Sequence, residues 1–205
     1  MIGLDTYYTN GEGSEIAASY TQANRVYTGY SALPTISAGM NFHVDFKGFF
    51  LDASGYYAGG HKVYESWHRY INQNNLYATA FYNGYDYLLN RWQQPGDVTR
   101  VQKSRFAGEP WQYSTKFLHD GDFFRLRNVT VGYDFNPSIT EAIGINSARI
   151  FVRGTNLYTW VKDDNLLHDP EIDASGFTSI TTPPVKSVVL GVNLNGTYLA
   201  SKHVV

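Results

Sequence analysis

Between Thr35 and Lys47 the chain reads TISAGMNFHVDFK, and these thirteen residues decide the fold. Ile36, Ala38, Met40, Phe42, Val44 and Phe46 fall on even positions. Thr35, Ser37, Gly39, Asn41, His43, Asp45 and Lys47 fall on odd ones, without an exception. Side chains of a strand alternate between its two faces, so this run is a strand with one apolar and one polar face. It would rise about 43 Å at ~3.3 Å per residue, well beyond an ordinary globular strand. Lys47 and Gly48 read as a tight turn, since glycine accepts positive φ. The next run puts Phe49, Leu51, Ala53, Gly55 and Tyr57 on one face, with Asp52, Ser54 and Tyr56 on the other. The two runs make a hairpin.

Alternation returns further along. Val129, Val131, Tyr133 and Phe135 oppose Asn128, Thr130, Gly132 and Asp134. Just upstream the phase inverts, with Phe124 and Leu126 even and Arg125 and Arg127 odd. Such a slip calls for a bulge near Arg127, or marks the level where the strand leaves an apolar zone. A strand over 148–160 has Ile150, Val152, Gly154, Tyr158 and Trp160 on its outer face, and Arg149, Arg153, Thr155 and Thr159 opposite. The last strand, 187–195, sets Val188, Leu190, Val192 and Leu194 against Ser187, Gly191, Asn193 and Asn195. Residues 1–34 form a turn-rich approach, with a candidate strand over 2–8. Residues 58–120 read as one long polar loop in which 64–70 and 82–92 are candidate short helices. Residues 136–146 are a short connector with one helical turn, 160–186 a second long loop, and 196–205 a tail.

Composition narrows the function. Sixteen Lys and Arg against eighteen Asp and Glu leave a charge of −2, without the basic surplus of a nucleic-acid binder. Charged residues are 17% of the chain, below the ~25% of soluble domains, while 17 tyrosines lead the aromatics. The absence of cysteine excludes thiol catalysis, Cys-ligated zinc and a disulfide scaffold. No apolar run is long enough for a membrane-spanning helix. The opening MIGLDTYYTNG has neither a basic start nor an apolar core, so no export signal is expected here.

The apolar faces suit either the core of a β-sandwich or lipid. Three observations favour lipid. The strands are long enough for a tilted crossing of the hydrocarbon layer. The opposite faces are polar and glycine-rich, as in the lumen of a wide barrel. Aromatic rings also gather at strand ends: Phe46, Phe49, Tyr133 and Phe135 beside short turns, and Tyr57, Tyr158 and Trp160 beside long loops, like the two girdles of an outer-membrane barrel. The alternation of short links with long loops agrees. The fold class expected is therefore all-β, an antiparallel up-and-down transmembrane barrel. Closure needs at least ~8 strands, and this chain offers about five to seven, a segment of a larger barrel. On this reading Ile36, Met40, Phe42, Val44, Val129, Val131, Ile150, Val152, Val188, Leu190, Val192 and Leu194 face lipid. Asn41, His43, Asp45, Asn128, Asp134, Arg149 and Arg153 face the lumen; Arg125, Arg127, Arg149 and Arg153 are expected to line one side of adjacent strands, with Asp134 as a candidate neighbour.

No catalytic set emerges. His43, His61, His68, His119, His168 and His203 show no i,i+4 pair, and no glycine-rich nucleotide loop or other cofactor motif is present. Asp163, Asp164, Asp169, Glu171 and Asp173 are a weak calcium candidate, because hard oxygens in a loop can hold that ion; they lack the EF-hand spacing, and a solvated acidic loop is the simpler reading. Tyr64, Trp67, Tyr70, Trp92, Trp111 and Tyr113 are loop aromatics suited to stacking on a ligand or packing against a partner. An enzyme is not expected. The alternative to a barrel segment is a soluble β-sheet module for ligand binding or adhesion that displays the 58–120 loop.

The run DGDFFRLRNVTVGY from Asp120 to Tyr133 resembles a strand in the C-terminal part of SusC/RagA-type TonB-dependent outer-membrane transporters, where the family carries a DGSFLRLKNVTLGY-like sequence. The similarity continues through LNRW at 89–92, Ile143 to Ile145, RIFVRGTNLYTW at 149–160, Asp169 to Glu171, Pro183 and Pro184, and Val188 to Asn195. It covers roughly residues 25–195. The resemblance implies a bacterial outer-membrane location and a single-chain barrel of about 22 strands around an N-terminal plug. It also implies a SusD-like lipoprotein lid, energy from TonB, and oligosaccharide or peptide substrates. One departure is at the end: the family places an aromatic residue about two positions after Leu194, where this chain has Gly196.

Overall fold

The computed structural model describes residues 8–9, 16–17, 27–67, 83, 85–99, 101, 103, 113, 115–179 and 182–196. In chain order the strands are β1 (Tyr8–Thr9), β2 (Ile16–Ala17), β3 (Ile36–Phe46), β4 (Phe49–Gly59), β5 (Lys62–Tyr64), β6 (Leu118–Asp120) and β7 (Phe123–Asp134). A five-residue helix α1 (Pro137–Glu141) follows, then β8 (Ile145–Val161) and β9 (Ser187–Gly196). The chain divides into two units. A sheet unit comprises Pro34–Gly60, Gly121–Asp164 and Thr182–Val205; a loop unit comprises Met1–Leu33, His61–Asp120 and Asn165–Thr181.

The sheet unit is one antiparallel layer in the order β3-β4-β7-β8-β9. β3 and β4 stay in register from Phe46 opposite Phe49 to Ile36 opposite Gly59. Lys47 and Gly48 turn the hairpin with φ of 48° and 87°, both positive, as a two-residue turn matched to strand twist requires. Gly48 is needed for space as well. A Cβ there would lie 2.8 Å from the Asp134 carbonyl oxygen and 2.9 Å from the Tyr133 ring, and the Gly48 carbonyl accepts a bond of 2.7 Å from Asp134 N–H.

The phase slip in β7 is a bulge. Opposite β4, Ser54 pairs with Asn128 and Gly55 with Leu126, so Arg127 is the extra residue of the bulge. On the other side Asn128 pairs with Thr155 and Leu126 with Tyr158, and Asn156 takes a positive φ of 52° to absorb the extra β8 residue. Beyond the bulge Phe124 and Leu126 therefore join the face of Val129 and Val131, while Phe123 and Arg125 turn to the other face and are buried.

Met40 (58% exposed), Phe42 (57%), Val131 (50%) and Val192 (58%) remain open on the apolar face, and among the described residues no second layer covers them. Burial occurs on the opposite face, where Phe50 is only 4% exposed. Gly132 leaves the room for it: a Cβ there would come within 2.5 Å of both the Phe50 ring and the Ile150 carbonyl.

Two ends of the sheet are fastened differently. At one, the Asn136 side chain caps α1 by accepting from Ser138 N–H at 3.0 Å, with Pro137 in the first turn. At the other, buried Asp122 accepts from Gly60 N–H at 2.6 Å and pairs with Lys162 Nζ at 3.0 Å, tying the ends of β4, β7 and β8 together.

The segment expected to be one long loop carries its own order. β5 and β6 pair from Lys62 opposite Asp120 to Tyr64 opposite Leu118. Val63 and Phe117 are buried, and 3-10 turns span Asp86–Asn90 and Thr115–Phe117. Tyr64, expected to open a helix, ends a strand instead, because its backbone bonds to neighbouring chain segments: its N–H donates to Gly176 O at 2.8 Å and its carbonyl accepts from Thr178 N–H at 3.0 Å. Of the strand expected over 2–8, only Tyr8 lies within the described residues.

Candidate functional site

Strand register assembles a polar wall on the face opposite Met40 and Val131. His43 stands directly across from Asp52, and Asp45 is two residues along on the same face. The imidazole lies between them, Nδ1 2.5 Å from Asp52 Oδ1 and Nε2 2.5 Å from Asp45 Oδ2. Arg149 opposes Asp134 and donates to both of its oxygens, while its guanidinium lies 4.3 Å from the Phe50 ring centroid. Arg153 Nε donates to Thr130 Oγ1 at 3.2 Å. Asn128 donates to Ser54 at 3.3 Å and accepts from Thr155 at 3.4 Å, and Asn195 donates to Ser147 at 3.2 Å. Asn41 lies in the same wall opposite Ser54. A ladder of cross-strand polar pairs results, with charges held in fixed places and still open to solvent.

The loop unit contains the aromatic residues. Tyr64 sits within ring contact of Tyr113 (centroids 5.8 Å), Phe117 (6.4 Å) and Phe177 (5.4 Å). Tyr113 and Phe177 keep about half their surface open, so this cluster offers a partly exposed apolar ledge. Trp67 is half-buried. Trp92, also half-buried, is held by a bond from its backbone N–H to Val101 O at 2.9 Å and has Lys103 Nζ 5.9 Å from its ring centroid. Tyr70 and Trp111 lie outside the described residues.

Glu65 went unnoticed in the sequence. It has no exposed surface, yet it is a carboxylate. Its Oε1 accepts from Leu167 N–H at 2.7 Å, His168 N–H at 3.1 Å and His168 Nδ1 at 2.9 Å, and His119 Nε2 lies 3.4 Å from Oε2. Several donors on one buried carboxylate make it a clasp between β5, β6 and the 165–168 segment. Tyr85 meets His168 edge-on at 6.4 Å. Burial, reinforced by the negative charge of Glu65, pushes the Tyr85 phenol above its ordinary value. Asp122 was likewise missed, although it lies inside the DGD motif.

Two of the acidic loop residues satisfy local backbone. Asp169 Oδ1 accepts from Glu171 N–H at 2.9 Å, and Asp173 Oδ1 from Ser175 N–H at 2.8 Å. Hydrogen bonds from Ser175, side chain first, hold the Asp173 carboxyl below the usual range. Among the described residues, which include Asp163 and Asp164, no group of three or more His, Asp or Glu side chains has the geometry to hold a metal ion.

No family model matches the chain. It is 25% identical over 176 residues to TonB-dependent receptor P39 of Formosa agariphila, covering 80% of this chain and 16% of the receptor. It is 26% identical over 179 residues to TonB-dependent receptor P26 of the same organism, covering 80% and 17%. The chain thus spans about one-sixth of the length of these curated relatives. Among solved structures, the RagAB peptide importer in its closed-closed state is similar at TM-score 0.69 and 26% identity, with 88% of this chain and 19% of that chain covered. The RagAB peptide transporter is similar at TM-score 0.73 and 24% identity, covering 89% and 20%. In sequence and in fold, this chain matches a segment of a SusC/RagA-type TonB-dependent transporter, a run of antiparallel barrel strands with their loops.

Proposed function

We propose that the chain is the C-terminal wall segment of a TonB-dependent transporter that imports oligosaccharides or peptides across the bacterial outer membrane, and that it is not an enzyme. The observation that carries this reading is the sheet's asymmetry: a single layer with an uncovered apolar face and a polar, paired one. Ile36, Met40, Phe42, Val44, Val129, Val131, Ile150, Val152, Val188, Leu190, Val192 and Leu194 then meet acyl chains. Asn41, His43, Asp45, Asn128, Asp134, Arg149 and Arg153 line the lumen, where water replaces the hydrogen bonds that lipid could not supply. The free edges of β3 and β9 pair with further strands, since an open edge in hydrocarbon leaves unpaired backbone groups costing several kcal/mol each.

In this reading the loop aromatics Tyr64, Trp67, Tyr70, Trp92, Trp111 and Tyr113 supply rings for stacking on sugars or peptide side chains. A SusD-like lipoprotein covers these loops and TonB supplies the energy. The name of the RagAB peptide importer supports the peptide arm of the substrate reading. The test is uptake. Cells lacking the gene should take up less of one substrate class, peptide or oligosaccharide, and loss of TonB should lower uptake in the parent to the same level. Unchanged uptake of both classes, together with recovery of the protein in the soluble fraction, would remove the reading.

A further inference from the structure

The turn-side end of the sheet carries apolar surface that the strands do not account for. Ile139 and Ile143, four residues apart, are 58% and 68% exposed. Ala142 keeps helical dihedrals (φ −60°, ψ −21°), so Ile143 follows the path of α1 and shares a side with Ile139. Ser138 and Glu141 fall on the opposite side of the turn. Thr140 is buried, and its hydroxyl donates to Pro137 O at 3.1 Å, which fixes the rotation of the turn. Beside α1, at the end of β7, rings gather: Phe49 against Tyr133 at 4.7 Å and Tyr133 against Phe135 at 5.3 Å. Phe46 and Phe49 are both exposed, and Lys47 Nζ rides 5.3 Å from the Phe46 ring centroid.

We propose that α1 is an interfacial anchor whose Ile139 and Ile143 dip into the phospholipid leaflet at the short-turn end, with Lys47 reaching the phosphate headgroups. The inference rests on the transmembrane reading above and goes beyond it, because α1 lies past the last residue of β7. Two features select lipid as the occupant. The exposed isoleucine pair follows closely in the chain on Tyr133 and Phe135, rings of the kind that sit at headgroup level. The Lys47 ammonium, 5.3 Å from the Phe46 ring centroid on the turn itself, places a positive charge at the end of the sheet where phosphate charge lies. A short amphipathic turn buried at the headgroup boundary gains from apolar area and from that attraction together.

The chain has no cysteine, so each label has one place within it, and any cysteine elsewhere in the transporter is first replaced by serine. A fluorophore is attached to I139C, I143C, S138C and V192C in the protein reconstituted into phosphatidylethanolamine–phosphatidylglycerol vesicles. The quenchers are a phosphatidylcholine carrying a nitroxide near the glycerol end of its acyl chain, and aqueous iodide. All four positions are exposed, so the labels disturb no core. Labels at 139 and 143 should lose most of their emission to the lipid nitroxide and little to iodide, with the reverse at 138. If 192 answers to the lipid quencher while 139 and 143 answer to iodide, or to neither quencher, the anchor is overturned and the transmembrane reading stands. If 192 also answers only to iodide, the transmembrane reading fails and takes the anchor with it.

Discussion

Arg149 grips Asp134 across β7 and β8 with two donors, Nε at 2.5 Å and Nη2 at 2.7 Å, while its guanidinium lies 4.3 Å from the Phe50 ring centroid. Three strands meet in that arrangement, because Phe50 belongs to β4 and reaches the pair over Gly132. A planar fork satisfies it and an ammonium cannot. Both charged groups are more than two-fifths exposed, so solvent screens the pair and the expected cost of R149K is about 0.5–1 kcal/mol. Temperature-dependent loss of the folded band on unheated gels, compared with the parent, measures it. A variant as stable as the parent would show that the fork does not matter.

Gly132 leaves no room for a side chain. A Cβ would meet the Ile150 carbonyl, and main chain cannot step aside as a flexible side chain can. G132V should lower stability by at least about 1–3 kcal/mol and reduce the folded yield in membranes. The double variant G132V/F50A removes the clash with the ring but keeps the backbone clash, so it should recover only part of that loss.

Glu65 closes the loop unit. E65A leaves the Leu167 and His168 N–H groups without their acceptor, at a cost of about 1–3 kcal/mol for each. E65Q keeps one carbonyl oxygen and should cost less. Limited proteolysis reads the effect: cleavage within residues 61–120 and 165–181 should accelerate in the order parent, E65Q, E65A. Equal rates would mean the clasp does not hold the loops.

Tyr85 reports on the same carboxylate. Its phenol is raised by burial and by Glu65, so folding favours the neutral form. That contribution is fully present below the ordinary value of 10.0 and is lost as pH rises through the higher folded value. In an ultraviolet titration of tyrosinate, the difference between parent and Y85F should show one phenol ionising above 10.0, and E65Q should move it part of the way down. A Tyr85 that titrates at its ordinary value would contradict the burial described here.

The legible parts of this fold are those written in local periods. Strict alternation located β3 and its partner face, and the switch from Leu126 to Val129 as outward residues pointed to a bulge or to an exit from the apolar zone, of which the structure has the bulge, at Arg127. The lysine and glycine at 47 and 48 announced the hairpin. The clasp was not legible, because Glu65 meets Leu167 and His168 more than a hundred residues away and no pattern links them. β5 and β6 are three residues each, too short for a period to show. Asn156 carries a positive φ that glycine would have advertised and asparagine conceals. The polar wall was foreseen as a face, but its pairs follow from register. His43 meets Asp52 only because Phe46 stands opposite Phe49.

The central claim is that one face of this sheet touches hydrocarbon and the other water, and a cysteine scan along β3 tests it most directly. Spin labels placed singly from Ile36 to Phe46 in membrane-embedded protein would be scored for collisions with oxygen, which concentrates in lipid, and with a water-soluble nickel chelate. The account predicts two period-two oscillations in opposite phase, oxygen highest at Ile36, Met40, Phe42 and Val44, and nickel highest at Asn41, His43 and Asp45. Profiles that rise and fall together, or nickel access equal on both faces, would contradict it.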